Sequence, residues 1–408
     1  MAADDMIVGL DIGTSKITAI IAEYDDQGEL EIIGVGTAAS SGLRRGVVIN
    51  IEATLRSVVD AIEAAEQMAG REVKRVVSGI AGSHIEGLNS RGVVAVTGKG
   101  REITDGDVDR VIEAAKAVSI PMDREILHVI PRDYVIDEQG GIKNPLDMIG
   151  VRLEVEVHMI TGSVTAAQNL VKCVNRAGFE IQQVVFSSLA AAEAVLSQDE
   201  KDLGVIVIDI GGGTTNVLVY RDGAPYHSFV LPVGGSQVTG DLSIMLKTST
   251  ESAERIKREA GCAYHPLVED GEPVIVPGVG GRPPIQASRE QVCQVIQPRM
   301  TEIFRMVRER LDKQRLLDRI AGGLVLTGGG ANLPGVVELG QDIFNLGGRI
   351  GQPGRYGGLA DRYQNPEFAT AVGLVLFAYR QGRVSAPTAV ERSGSVMNGL
   401  RRWMKHFF

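Results

Sequence analysis

Two stretches of this 408-residue chain place residues that could grip a polyphosphate. In "VIDIGGGTTNVLVY" an apolar strand feeds directly into Gly211, Gly212 and Gly213. Without Cβ atoms, such a turn can wrap an anion and aim backbone N–H groups at it. Asp209, at the strand end, can hold Mg²⁺ through water, because that ion keeps several of its waters. Thr214 and Thr215 offer hydroxyls and Asn216 an amide. The second stretch, "GLDIGTSKI", repeats the pattern: Asp11 stands where Asp209 does and Gly13 where Gly211 does, while Thr14, Ser15 and Lys16 replace glycines. Lys16 suits a β- or γ-phosphate; a solvated strand-edge lysine is the alternative. Alone, either stretch reads equally well as a hairpin of ordinary turn residues. Facing each other, the two would clamp one polyphosphate from both sides.

Two further pieces extend the site. "VLTGGGANLPGV" offers Gly328, Gly329, Gly330 and Ala331 as a flat surface suited to a purine, or simply as a helix-start turn. "AERIKREAG" puts Glu254 and Lys257 on one helical face, with Arg258 beside them; singly, that pair reads as a surface salt bridge.

These residues need strands and turns to position them, and the chain supplies a degenerate repeat. Residues 7–36 and 205–235 each read strand, Asp-Ile-Gly turn, strand, Gly turn, strand. Two similar halves facing each other make a cleft, where ligands bind. Asn50 is placed to N-cap a helix over 51–69 that Gly70 ends. Residues 84–162 read as an inserted small domain with a helix from Thr104 to Val118. Residues 237–320 are mainly helical, interrupted by a hairpin near 265–286 and closed by a long amphipathic helix. Residues 381–394 read as a linker. The expected organisation is 1–83 with 163–203 as a first lobe, 84–162 as the insertion, 204–236 with 321–380 as a second lobe, 237–320 as a helical subdomain, and 395–408 as a separate tail.

Composition excludes several classes. The net charge is −9, and an acidic body disfavours nucleic acid. Three cysteines without a CxxC fit no disulfide framework, and six scattered histidines fit no zinc spacing. The start, "MAADDMIVGL", lacks a basic region followed by a long apolar run, and no apolar stretch approaches a membrane span, so a cytosolic chain is expected. From Arg380 onward, however, six Lys or Arg residues face the single acid Glu391. On a helical wheel of 395–408, Val396, Met397, Leu400, Trp403, Met404, Phe407 and Phe408 share one side. Arg401, Arg402, Lys405 and His406 take the other. That pattern predicts an interfacial helix on anionic lipid; a docked terminal helix is the alternative.

In this order and spacing, the motifs resemble the actin/Hsp70/sugar-kinase superfamily. The 84–162 insertion, "QPRMTEIF" and the tail make the chain similar to the FtsA family of bacterial cell-division proteins. The resemblance implies an α/β, actin-like ATPase fold with ATP and Mg²⁺ between two lobes. Asp11, Thr14 and Lys16 match the first phosphate motif, and Asp209 with Gly211 to Thr215 the second. Gly234 and Gly235 match the ribose contacts, Glu254, Lys257 and Arg258 an adenosine helix, and Gly328 to Ala331 the adenosine loop. It implies self-association into a filament and docking of the FtsZ C-terminal peptide on 237–320, with Arg299 a candidate contact or merely a helix-surface charge. It further implies tethering to the cytoplasmic face of the cell membrane at the division septum and recruitment of later division proteins. One departure stands out: "FSSLAAAEAVL" puts Ser187 where actin-like relatives carry a glutamate linked to hydrolysis, so ATP hydrolysis is expected to be slow at most. A pilus-assembly adaptor like PilM and a small-molecule kinase are the competing readings.

Overall fold

The computed structural model describes residues 6–385 apart from 26, 98, 270 and 272. The expected linker beyond Ser385 and the whole 395–408 segment, with its proposed membrane residues, lie outside the described residues.

The chain opens on a meander of β1 (Met6–Ile12), β2 (Lys16–Tyr24) and β3 (Leu30–Ala39), followed by a small ribbon of β4 (Leu43–Arg44) and β5 (Val47–Val48). Helix α1 (Ile51–Ala69) is bounded as its caps dictate. The Asn50 side chain accepts from the Ala53 amide at 3.1 Å, and Gly70 closes the helix at φ 63°. After β6 (Arg75–Ile80) come β7 (Glu86–Ala95), α2 (Asp105–Lys116), β8 (Arg124–Ile136), β9 (Gln139–Ile142) and β10 (Arg152–Ser163). Then follow α3 (Val164–Arg176), β11 (Glu180–Phe186), α4 (Ser187–Val195) and the short α5 (Gln198–Leu203). A second meander consists of β12 (Val205–Ile210), β13 (Thr215–Arg221) and β14 (Ala224–Leu231). It leads to α6 (Gly235–Met245), α7 (Thr250–Ala260), the hairpin β15 (Val274–Val276) and β16 (Ile285–Ala287), and the long α8 (Arg289–Lys313). The chain returns through β17 (Leu324–Thr327), α9 (Val336–Phe344), β18 (Gly348–Ile350), α10 (Ala360–Tyr363) and α11 (Ala369–Ser385). The first residues of the expected linker, 381–385, are therefore helical.

Among the described residues the main strands form two sheets, ordered β11-β6-β1-β2-β3 and β18-β17-β12-β13-β14-β7-β10-β8-β9. The repeat seen in the letters is a repeat in space. β1 pairs antiparallel with β2 and parallel with β6, as β12 does with β13 and β17. Strand β12 is buried along its whole length, so it reads as a continuous apolar run instead of alternating. Its odd residues Val205 and Val207 join the core of the first sheet, while Ile206, Ile208 and Ile210 join a separate core beneath α8. Helices α4 and α11 cross closely between the sheets: a Cβ on Gly373 would lie 1.8 Å from the Ala190 carbonyl oxygen. The insertion has its own core, built on Val111, Leu153, Val155, Val157 and Met159.

Candidate nucleotide site

The two Asp-Ile-Gly turns adopt one geometry. The Gly13 amide donates to the Lys16 carbonyl at 3.1 Å, and the Gly211 amide to the Thr214 carbonyl at 2.9 Å. Each preceding aspartate sits one residue before its strand end, Asp11 opposite Thr18 and Asp209 opposite Asn216. The turns also touch. A Cβ on Gly212 would fall 1.8 Å from Ser15 Oγ, and one on Gly213 would fall 2.7 Å from Thr14 Oγ1. Glycine is required here because another chain segment occupies the space a side chain would need.

Between the turns lies a cleft of about 380 Å³. It brings together Asp11, Gly13, Thr14, Ser15, Lys16, Asp209, Gly211, Gly212, Thr214, Asn216, Gly235, Glu254, Lys257, Arg258, Gly328, Gly329 and Gly330. Four of the expected residues stand behind the wall. Gly213 packs on Thr14, and the Thr215 hydroxyl donates to the Val233 carbonyl at 2.9 Å. Gly234 packs on the Gly211 carbonyl, and Ala331 is buried under the glycine loop. Their part is to shape the lining, not to form it.

Asp11 and Asp209 dominate the electrostatics. Burial, then the negative charge of Asp209, lifts the Asp11 carboxyl to about 7, with Lys16 opposing. Burial lifts Asp209 to about 6, with the Asn216 amide, donating at 3.0 Å, opposing. Asn216 Oδ1 is buried without a hydrogen-bond partner. Two under-compensated carboxylates and an orphan amide oxygen are the hard-oxygen environment a magnesium ion fits. Among the described residues no three metal-ligating side chains converge, which suits an ion that keeps waters and phosphate oxygens as its other ligands. Asp11 and Asp209 are the residues that would hold it.

Apolar Val238, Met300 and Leu333 line the cleft as well as Gly328–Gly330. Glu254 accepts from Lys257 Nζ at 2.6 Å and Arg258 Nε at 3.1 Å, and also from the Thr239 hydroxyl. Burial pushes the Glu254 carboxyl up, but these hydrogen bonds outweigh it and hold it below its usual range. The salt bridge that the i, i+3 spacing suggests is real, and it lies in the cleft wall. Ser187 lines the cleft at the start of α4. Sequence reasoning missed Ser236, Met300, Asn332, Glu367 and Thr370.

Comparison with known proteins gives the family. A family model described as cell division protein FtsA matches residues 206–373, and one for the SHS2 domain inserted in FtsA matches residues 82–161. The FtsA of Borreliella burgdorferi is 47% identical, with 99% of each chain covered. That of Pseudomonas aeruginosa is 44% identical, covering 99% of this chain and 98% of the relative. That of Escherichia coli is 39% identical over the same shares. The chain belongs to the FtsA family of cell-division proteins. Its role is therefore in cell division, and its insertion is an SHS2 domain, which sets aside the pilus-adaptor and kinase readings. Solved structures of distant sequence share the actin-like ATPase fold. The PilM–PilN type IV pilus biogenesis complex aligns at 18% identity and TM-score 0.65, covering 91% of this chain and 98% of that one. Spiroplasma citri MreB5 bound to ADP aligns at 15% and TM-score 0.56, covering 93% and 97%.

Arg299 makes ion pairs within the chain. Its guanidinium is bidentate to Asp241 on α6, at 2.7 and 3.1 Å, and also pairs with Glu302. It staples α8 to α6. A groove of about 680 Å³ runs along the same stretch of α8, lined by Gln294, Gln297, Thr301, Arg305 and Met306 among others; Arg299 does not line it, but its partner Glu302 does. Among the described residues no helix is long and apolar enough to cross a membrane.

Proposed function

We propose that this FtsA-family chain is an ATP-dependent adaptor of the division machinery, located at the cytoplasmic face of the cell membrane. ATP with Mg²⁺ binds between the lobes. The phosphates lie between the turns at Gly13–Lys16 and Gly211–Thr214, the ion at Asp11 and Asp209, and the adenosine against Gly328–Gly330 and Lys257. The facing Asp-Ile-Gly turns carry this reading, because their shared geometry leaves a cleft with unbalanced carboxylates between them. The cleft-lining carboxylates are Asp11, Asp209, Glu254 and Glu367, while Ser187 occupies the position from which relatives supply a glutamate, so turnover is slow. Calorimetry with MgATP tests the site. Wild type takes up nucleotide and Asp209→Asn loses at least an order of magnitude in affinity, on the order of one charge-assisted contact; absence of heat with wild type ends the proposal.

The α8 groove takes the C-terminal peptide of FtsZ, nucleotide-bound copies associate into filaments, and the insertion meets later division proteins. The 395–408 segment binds anionic lipid. Each large apolar side chain that inserts contributes at most about 1.5–3 kcal/mol, and each cation about 1 kcal/mol. Ordering the backbone opposes this at roughly 1–2 kcal/mol per residue. One segment is thus a reversible anchor, and a row of them on a polymer gains avidity. A chain ending at Gly394 fails to co-sediment with anionic liposomes that retain the full chain; undiminished binding removes the segment from the proposal.

A further inference from the structure

Lys16 reaches out of the first Asp-Ile-Gly turn and meets Glu367, Nζ to Oε2 at 3.0 Å, while also lying 3.9 Å over the Phe368 ring. Both members of the pair line the cleft, and each side chain keeps about a quarter of its surface exposed, 25% and 28%. Burial lowers the Lys16 pKa and Glu367 opposes that shift. The carboxylate therefore stabilises the ammonium in the place where a phosphate would need it.

Glu367 belongs to a turn with three attachments. Asn365 Oδ1 accepts from the Glu367 amide at 3.1 Å and from Asn332 Nδ2 at 2.8 Å. The Pro366 carbonyl accepts from the Gly328 amide at 3.1 Å and the Thr327 hydroxyl at 3.3 Å. The turn is thereby clamped to the glycine loop of the second lobe, and through Lys16 it is joined to the first. It runs directly into α11, which begins at Ala369. One side chain thus links both lobes and the start of the last helix.

An ammonium carries one charge, and a polyphosphate presents several close together. Phosphate entering the cleft competes with Glu367 for Lys16. Linkage makes the competition reciprocal: whatever factor the ion pair takes from phosphate affinity, bound phosphate takes from the ion pair. We propose that Glu367 is a displaceable latch on Lys16, yielding it to nucleotide phosphate, so that occupancy of the cleft is reported at the turn that starts α11. The latch rests on the nucleotide reading of the cleft given above and adds a positioning residue to it.

The test compares ADP with adenosine on the full chain by calorimetry, in wild type, Glu367→Gln, Lys16→Gln and the double variant. Glu367→Gln is expected to strengthen ADP binding by roughly fivefold, the scale of a partly exposed ion pair, while adenosine affinity stays within experimental scatter. In the Lys16→Gln background the gain disappears, because the competitor has nothing left to hold. Amide exchange over 369–385 rises when ADP is added to wild type, and is already raised in Glu367→Gln. Glu367→Ala gives the same comparison should the glutamine perturb folding. An equal change for ADP and adenosine, weaker ADP binding, or a gain that persists without Lys16 overturns the latch while leaving the site intact. Failure of wild type itself to bind ADP overturns the nucleotide reading and the latch together.

Discussion

At the scale of single residues, the cleft stores electrostatic cost where its ligand is to bind. Asp11 and Asp209 ionise in water near 3.8, but burial lifts them to about 7 and about 6 in the fold, with the charge of Asp209 adding to the shift at Asp11. The folded pKa lies above the unfolded one for both. Their contribution to stability is therefore full below about 3.8 and is lost as pH rises through 6 to 7. Asp11→Asn removes that cost, so in EDTA at pH 8 the variant should unfold at higher urea than wild type. The gap, on the order of a few kcal/mol at most, should close at acid pH. Addition of magnesium and nucleotide should reverse the order, stabilising wild type alone. Equal urea midpoints at pH 8 in EDTA would mean that the carboxylates are better solvated than their burial implies. At this scale the sequence was legible where a residue acts locally. Asp11, Asp209 and the glycines between strands announce a turn because the turn needs their types within a few positions. Glu367 carries no such signal, since its partner Lys16 lies at the other end of the chain. The pairing of Arg299 was hidden for the same reason, its partner Asp241 being 58 residues upstream on another helix.

At the scale of elements, glycine marks where two pieces of backbone meet. Gly373 on α11 faces α4, where a Cβ would sit 1.8 Å from the Ala190 carbonyl oxygen and 2.3 Å from its carbon. Backbone cannot swing aside as a side-chain tip can, so Gly373→Ala must push the two helices apart. A cost of about 1–3 kcal/mol or more follows, the usual penalty for overpacking a closed core. Gly240 on α6 provides the control, since a Cβ there meets nothing within 4 Å. Gly240→Ala should stabilise by about 0.5–1 kcal/mol through helix propensity. Urea midpoints that move in opposite directions would bear out the reading; a neutral Gly373→Ala would mean that α4 and α11 slide freely. Element boundaries were well read where caps are local, as at Asn50 and Gly70 for α1. What letters could not give is how far the last helix runs, because "QGRVS" is as acceptable in a helix end as in a linker. Nor could they show that the insertion's strands continue the second lobe's sheet, because that join is a single ladder pair, Phe229 with Glu86.

At the scale of the whole molecule, that thin join is reinforced by buried His158, while His128 and His84 brace the insertion at other points. His158 bonds Asn89 Oδ1 at 2.7 Å and Ser228 Oγ at 2.9 Å, tying β10 and β7 to β14. His128 on β8 accepts from the Phe186 amide at 3.0 Å, just before the Ser187 corner of the cleft. His84 accepts from the Ser163 amide at 3.3 Å. Burial depresses His84 and His128 to about 4 and His158 to about 3, helped by Arg124 at His84 and by His227 and Arg132 at His158. Protonation would also set an N–H against the amide donors that His84 and His128 now accept. Here the folded pKa lies below the unfolded 6.5, so the stabilisation is present above 6.5 and is lost as pH falls toward 4. The aspartate pair works in the opposite sense across the same window, so the two effects partly cancel in wild type. Removing the aspartate side of the balance should expose the histidine side. In Asp11→Asn/Asp209→Asn, the unfolding free energy measured by urea at pH 6.5, 5.5 and 4.5 should fall more steeply with acid than in wild type, by up to about 1.4 kcal/mol per pH unit for each proton taken up. Adding His158→Asn to that background should flatten the fall again while keeping a hydrogen-bonding side chain against Ser228. A double aspartate variant that titrates in parallel with wild type would mean that the aspartate carboxyls are not shifted; if instead His158→Asn leaves the fall unchanged, the join between insertion and lobe does not depend on a neutral histidine, and its rigidity has to come from the side chains around Tyr226, where Arg132 lies 4.0 Å over the ring.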